Sequence, residues 1–279
     1  MKVIHDVAGL APFHGGILVP TMGALHEGHF TLVREAAQRS LVDGSGRKSP
    51  VIVSVFVNPT QFNDPKDLER YPRTLDTDAK GCAAAGADVV FAPAANVVYP
   101  PGENVPPPPL PAVATEPKLE DAHRPGHFEG VCQVVKRLFE MVRPSAAFFG
   151  EKDWQQLQVI AAMTREARME IAIVPIPTVR EESGLAMSSR NVFLTADDRV
   201  RARAISRALC EACGEKTPTA AERVMREMLR AHAIEPEYAV VRDAESLRPI
   251  SGEFSGSKRA LIAARVGPVR LIDNCAWPR

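Results

Sequence analysis

His26 and His29 lie three residues apart, so a helix would place both on one face of its first turn. Each imidazole can give an N–H to a phosphate oxygen, and each can gain a proton as negative charge builds there. Gly28, between them, leaves room for a ligand to come close. Ile17-Leu18-Val19 ahead of them reads as a buried strand, Gly23 as a turn, and Phe30 to Ala37 as a helix. Strand, glycine turn and helix is an arrangement that aims backbone N–H groups at an anion. Two solvated side chains at a helix start would give the same pattern. A zinc site is disfavoured, because H-E-x-x-H is absent and no third ligand is evident.

Three further polar islands follow apolar runs. Val51 to Val57 is a strand that ends in Asn58-Pro59-Thr60-Gln61-Phe62. Asn58-Pro59 serves turn formation, whereas glutamine has no special turn role, which singles out Gln61. The strand Ala146 to Phe149 leads into Gly150-Glu151-Lys152-Asp153-Trp154-Gln155-Gln156. Lys152 suits a phosphate as a point cation, or it belongs to an ordinary charged helix start with Asp153 on the helix dipole. The strand Ile171 to Val174 is followed by a segment with Met187-Ser188-Ser189-Arg190. Arg190 could grip phosphate bidentately, or the stretch is a serine-rich loop. Polar groups at carboxyl ends of parallel strands are where open α/β sheets bind ligands. The shared theme is donors and cations, which suits a nucleoside triphosphate. There is no G-x-x-x-x-G-K-[ST] loop, no G-x-G-x-x-G and no G-x-S-x-G elbow. A nucleotidyl transferase working by positioning and charge stabilisation is favoured.

The elements that must carry these groups form a β-α-β-α-β order over the first part of the chain. That predicts an α/β fold: a Rossmann-like parallel sheet with helices on both faces. A helix is expected from Leu75 to Ala85, stopped by Gly86 before a strand at Ala87 to Phe91. An amphipathic helix is expected from Val131 to Val142, stopped by Arg143-Pro144. Asp64 to Asp78 reads as a charged surface excursion, Asp43 to Pro50 as a polar loop, and Pro100 to Pro111 as a stiff connection or part of a cover. From Thr195 the pattern becomes two helices, Ala196–Gly214 and Ala220–His232. Strands follow at Tyr238–Arg242, Arg259–Val266 and Val269–Asn274. This predicts a smaller C-terminal α+β lid domain over 179–279 after a nucleotide-binding domain over 1–178.

With 279 residues, 45% of them apolar, a sizeable core is available. The 34 cationic and 34 acidic side chains balance, which argues against nucleic acid or an acidic membrane as a partner. The N-terminus lacks a signal-peptide core and no apolar run is long enough to span a bilayer, so a cytoplasmic protein is expected. Five scattered cysteines suggest no disulfide framework, and Cys210-Glu-Ala-Cys213 reads as packed side chains.

Pro20-Thr21-Met22-Gly23-Ala24-Leu25-His26-Glu27-Gly28-His29 resembles the signature of the pantothenate synthetase (pantoate–β-alanine ligase) family. So do Val57 to Phe62, Arg70-Tyr71-Pro72-Arg73-Thr74, Arg124-Pro125-Gly126-His127-Phe128, Phe148 to Gln156, Gly184 to Asn191 and Arg270-Leu271-Ile272-Asp273-Asn274. The resemblance implies that ATP and (R)-pantoate give a pantoyl adenylate, which the amine of β-alanine converts to pantothenate and AMP, with Mg²⁺ accompanying the ATP. It places Met22 to His29, Gly150, Glu151, Lys152, Asp153, Val179, Met187, Ser188, Ser189 and Arg190 at the nucleotide. His26, His29, Lys152 and Arg190 would be catalytic, His29 being the position the family marks as proton donor. Gln61, Gln156 and a supporting Asn58 would hold pantoate. It also implies a homodimer. The metal ligands stay unassigned. Departures are Asp121 where the family generally has glycine, the proline-rich stretch, and a shorter N-terminus. Another adenylyl or cytidylyl transferase of the superfamily, or a non-catalytic nucleotide-binding protein, remains as the alternative.

Overall fold

A computed structural model describes residues 1–40, 48–61, 68–69, 71–251 and 254–278. Part of the polar loop expected from Asp43, Phe62, the first residues of the charged excursion, and Arg70 lie outside the described residues.

Six parallel strands form the main sheet: β1 (Lys2–Ile4), β2 (Ile17–Thr21), β3 (Val51–Val55), β4 (Val89–Phe91), β5 (Ala146–Gly150) and β6 (Ala172–Ile176), in the spatial order β1-β4-β3-β2-β5-β6. Leu18, Val19, Ile52 and Val53 are fully buried, as their unbroken apolar runs require of strands covered on both faces. The longer helices between the strands are α1 (Glu27–Arg39), α2 (Leu75–Ala84), α3 (His127–Val142) and α4 (Trp154–Glu166). Gly86 at φ +99° and Arg143 at φ +48° are the stops after α2 and α3. The sequence pattern does not predict β1. It is three residues long, largely exposed and at the sheet edge, so it carries no apolar periodicity.

The strand order reverses between β2 and β5. Their pairing is confined to Ile17↔Ala146 and Leu18↔Ala147, whereas β2 pairs with β3 as far as Thr21 and β5 with β6 as far as Gly150. Pro20 has no N–H to extend the β2–β5 ladder. The crevice at the carboxyl ends of β2 and β5 is therefore the switch point of the sheet, where such folds bind ligands.

The C-terminal part packs α5 (Ala196–Ala212) and α6 (Pro218–Ala231) on an antiparallel sheet of β7 (Pro236–Asp243), β8 (Lys258–Val266) and β9 (Val269–Trp277). Thr195 and Thr217 cap the two helices, accepting from the backbone N–H groups of Asp198 and Ala220. This part has its own apolar cluster, including Ile205, Leu209, Met225, Leu229 and Ile262. Val240, Leu247 and Leu261 join the core under the parallel sheet instead.

Candidate active site

The turn after β2 is built from inside. The Thr21 hydroxyl donates to the Ser54 carbonyl at 2.6 Å and accepts from the Gly23 N–H at 3.3 Å. Gly23 sits at φ +83°, and a Cβ there would lie 3.1 Å from Val55 and 3.2 Å from the Asp78 carboxylate. Asp78, on α2 and 2% exposed, accepts from the N–H groups of Ala24 at 3.0 Å and Leu25 at 2.9 Å. This corrects the expectation of free backbone donors at this turn: an internal carboxylate already holds those two.

The histidines supply the donors instead. His26 caps α1, and its Nδ1 accepts from the Gly28 N–H at 3.1 Å. His29 Nδ1 accepts from the His26 N–H at 3.3 Å. A backbone N–H can only donate, so each Nδ1 is an acceptor and each neutral ring carries its proton on Nε2. The rings lie 4.1 Å apart between centroids. Burial, then His26 and the Lys152 cation, push the His29 pKa down to about 3, and burial and Lys152 also lower that of His26. At rest, both are neutral Nε2–H donors.

After β5, Glu151–Asp153 forms a 3-10 turn that leads into α4. Lys152, Asp153 and Gln156 line a narrow cleft, with Arg124, His127, Asp273 and Asn274 among the other walls. Lys152 and Asp153 act electrostatically on both histidines. Glu151 faces elsewhere: its carboxylate takes a 2.7 Å hydrogen bond from Arg259, which replaces the expected nucleotide contact of that side chain. Glu27 likewise pairs with Arg34.

The segment carrying Arg190 is folded back as a hairpin. Met187 N–H donates to the Val179 carbonyl at 2.9 Å, and Arg180 bridges to Ala186. A Cβ on Gly28 would come within 3.7 Å of Met187, so the hairpin lies against the histidine turn. Ser188 accepts from the Arg190 N–H at 3.2 Å, and Ser189 hydrogen-bonds Tyr71. Arg190 acts electrostatically on Tyr71 and on Arg124, and Arg124 feels Asp153. His127 approaches the Gln61 backbone. The histidines, Gln61 and Arg190 thus border the cleft through these neighbours rather than forming its walls.

Asn58 departs from a substrate-contacting role. It is fully buried, its amide donates to Thr60 and to the Gly130 carbonyl, and its oxygen accepts from Tyr99 at 2.9 Å. It shapes the turn that presents Gln61. Asp78 carries no sequence signal of a role at the site, and Arg124, His127 and Gln155 stand in family motifs with no task assigned to them. Gln155 accepts from the Glu120 N–H and donates to the Val113 carbonyl and to Asp121, all at 2.9 Å. Asp121 also accepts from the N–H groups of Lys118 and Leu119, so it staples the cover down.

The sequence model of a family described as Pantoate-beta-alanine ligase matches residues 13–276. A pantothenate synthetase of Rubrobacter xylanophilus is 49% identical over 94% of this chain and 90% of its own length. One from Myxococcus xanthus is 44% identical over 98% and 94%. The crystal structure of pantothenate synthetase from Thermus thermophilus superposes with a TM-score of 0.89 at 40% identity, covering 99% of both chains. That of pantoate-beta-alanine ligase from Francisella tularensis, complexed with beta-gamma ATP and beta-alanine, has a TM-score of 0.77 at 31% identity, covering 99% of this chain and 97% of that one. With the crevice, the turn chemistry and these likenesses together, the chain belongs to the pantoate–β-alanine ligase family.

Proposed function

We propose that the crevice performs an ATP-dependent condensation of (R)-pantoate with β-alanine, in two steps that share one site. A carboxylate oxygen of pantoate attacks the α-phosphorus of ATP and displaces pyrophosphate. The β-alanine nitrogen then attacks the acyl carbon, AMP leaves, and the amine gives up its proton. No covalent enzyme intermediate is required, because the adenylate is the activated acyl donor.

Lys152, Arg190 and the Nε2–H groups of His26 and His29 receive the phosphates. Histidines held neutral at rest gain more from the transition state, where charge accumulates on the leaving oxygens, than from bound ATP. That is the differential binding that accelerates a step, and it suits the neutral His29 to donate a hydrogen bond from Nε2 to the departing pyrophosphate, with no net proton transfer required. Gln61 and Gln156 offer neutral amides to the hydroxyls and carboxylate of pantoate. Met22, Gly23, Gly28 and Gly150 form the close floor of the nucleotide site, with Val179 on the adenine side and Met187 to Arg190 closing on the phosphates. Among the described residues, no group of three or more His, Cys, Asp or Glu could hold a metal. Magnesium would enter with ATP, held mainly by phosphate oxygens and water, a setting in which one or two carboxylates commonly complete the shell; which residues of this chain those are stays unassigned.

The observation that carries the reading is the convergence of His26, His29, Lys152 and Asp153 at the sheet's switch point. The test is pantoate-dependent exchange of pyrophosphate into ATP, followed by addition of β-alanine. Exchange that needs pantoate, and AMP and pantothenate appearing together on adding β-alanine, is the expected result. Exchange indifferent to pantoate would sink the reading in favour of another acceptor. A homodimer, a cytoplasmic location and a division into 1–178 and 179–279 belong to the same proposal. Sedimentation, cell fractionation and limited proteolysis test them.

A further inference from the structure

We propose that Asp273 and Asn274, adjacent on β9, are positioning residues that set the Lys152 turn and the Arg190 hairpin in register with each other. The inference rests on the reading of Lys152 and Arg190 as phosphate-binding groups.

Neither phosphate-facing segment is held only by its own element. The Asn274 amide donates to two consecutive carbonyls of the Lys152 turn, those of Glu151 and Lys152, both at 2.9 Å. Its orientation is fixed, because its oxygen accepts from Arg259 Nε at 2.7 Å. Arg259 in turn donates to the Glu151 carboxylate at 2.7 Å, and its guanidinium lies 3.5 Å from the centre of the Trp154 ring. The next residue back, Asp273, grips the other segment. Its carboxylate accepts twice from Arg180, at 2.6 and 3.0 Å. Arg180 also donates to the Gly184 carbonyl, closing the hairpin that ends in Ser188-Ser189-Arg190. Asp273 and Asn274 are each 3% exposed.

Successive side chains leave a strand on opposite faces, so one dipeptide can hold two segments that lie on either side of it. A rigid strand in the C-terminal sheet thereby fixes two cations whose spacing must match a triphosphate. Side chains supported this way hold productive geometry, and a misplacement of about 1 Å can cost about 10²-fold in rate. Neither residue needs to touch the substrate to act.

The experiment is steady-state pyrophosphate exchange on the full chain, comparing Asn274→Asp, Asn274→Ala, Lys152→Ala and the Lys152→Ala/Asn274→Ala double variant. Asn274→Asp keeps the shape and the acceptor for Arg259 but loses both donors. It serves as the readout if the alanine variant does not fold. The expected result is a kcat about 10²-fold lower for either Asn274 variant, with KM for pantoate within about twofold of the parent. In the Lys152→Ala background, Asn274→Ala should cost less than about threefold further, since the group it positions is gone. A parallel cycle of Asp273→Asn with Arg190→Ala should show the same loss of additivity. Multiplicative losses in both cycles, or parental kcat in Asn274→Asp, overturn the proposal. A silent Lys152→Ala overturns it too, by removing the phosphate site on which it rests, and that single variant tells the two failures apart.

Discussion

In or beside the crevice, Lys152, Arg190, Gln61 and Gln156 carry side-chain donors with no hydrogen-bond partner among the described residues, whereas Asp78, Gln155, Asp273 and Asn274 behind them each make several hydrogen bonds. Gln155 and Gln156 show the contrast within one helical turn. Both touch the cleft, but Gln155 is 3% exposed and spends its amide on three hydrogen bonds, while the Gln156 side chain makes none. Asn58 and Gln61 repeat it three residues apart. So do Glu120 and Arg124: Glu120 takes two bonds from Arg270 and one from Tyr238, while Arg124 has only electrostatic neighbours. The difference follows from what each region must do. A buried polar group without a partner costs stability, so most of the framework's buried groups are bonded, the Ser54 hydroxyl and the Asn191 side-chain oxygen being among the exceptions. A recognition group must leave its bonds unmade until the ligand arrives.

The largest way to break this comparison is at the histidine turn. His29→Ala should slow adenylate formation by about 10²- to 10³-fold, because an oriented donor to the leaving group is lost. The thermal midpoint should fall only a little, since His29 gives up one long bond from the His26 N–H while the framework bonds of Asp78 to Ala24 and Leu25 remain. An unchanged exchange rate would take His29 out of the mechanism. A large fall in midpoint would move it from the recognition group into the framework.

Next is Arg270→Met. Arg270 reaches Glu120 at 2.6 and 2.8 Å and Glu237 at 2.7 Å, joining the cover to β7 and β9. Removing one partner of a buried pair leaves an uncompensated charge, so urea denaturation should show a loss of about 3 kcal/mol. Arg270 holds the Glu120 carboxyl below its usual range against the opposing effect of burial. A loss under about 1 kcal/mol would show that the clasp is already solvated.

The two glutamines sharpen the contrast at smaller cost. Gln155→Ala leaves the Glu120 N–H and the Val113 carbonyl unmet and should cost about 2 kcal/mol of stability, with little change in KM for pantoate. Gln156→Ala should do the reverse: stability within about 0.5 kcal/mol, and KM for pantoate raised about tenfold. Similar effects of both variants on either measurement would erase the distinction between the two regions.

The sequence makes some of this legible and hides the rest for physical reasons. The strands β2, β3 and β5 are readable because burial on both faces leaves an unbroken apolar run. The groups that face the crevice stand out as polar islands at strand ends. Their supports do not. Asp78 sits 54 residues from Ala24, and Asp273 lies 93 from Arg180, so no local pattern joins them. The family resemblance includes Asp273-Asn274 but not their task, because a grip on two distant segments exists only once β9 is placed. Apart from the family resemblance, which singles out Gln156, nothing in the sequence separates Gln155 from Gln156. Only the placed first turn of α4 shows that Gln155 is the one tied to the cover.

His127 belongs fully to neither region and gives the smallest test. It is 6% exposed, lines the cleft, and its Nδ1 has no partner among the described residues. Burial, and then the Arg124 cation, push its pKa down to about 4. The folded chain therefore keeps this ring neutral between about pH 4 and 6.5, while the unfolded chain protonates it. The unfolded state binds more protons in that window, so stability falls as pH falls below about 6.5. At about pH 5.5 the loss from this one group should be about 1 kcal/mol relative to about pH 8. His127→Asn cannot take up the proton and should fall less by that amount, the two chains keeping a constant offset above about pH 7.5. His26 and His29 also titrate low, but they are present in both chains and cancel in the difference. Glu120, also lowered, acts only at more acidic pH. Urea titrations at the two pH values decide it. Equal pH dependence in the two chains would mean that His127 already has a proton partner, and would place it with the framework.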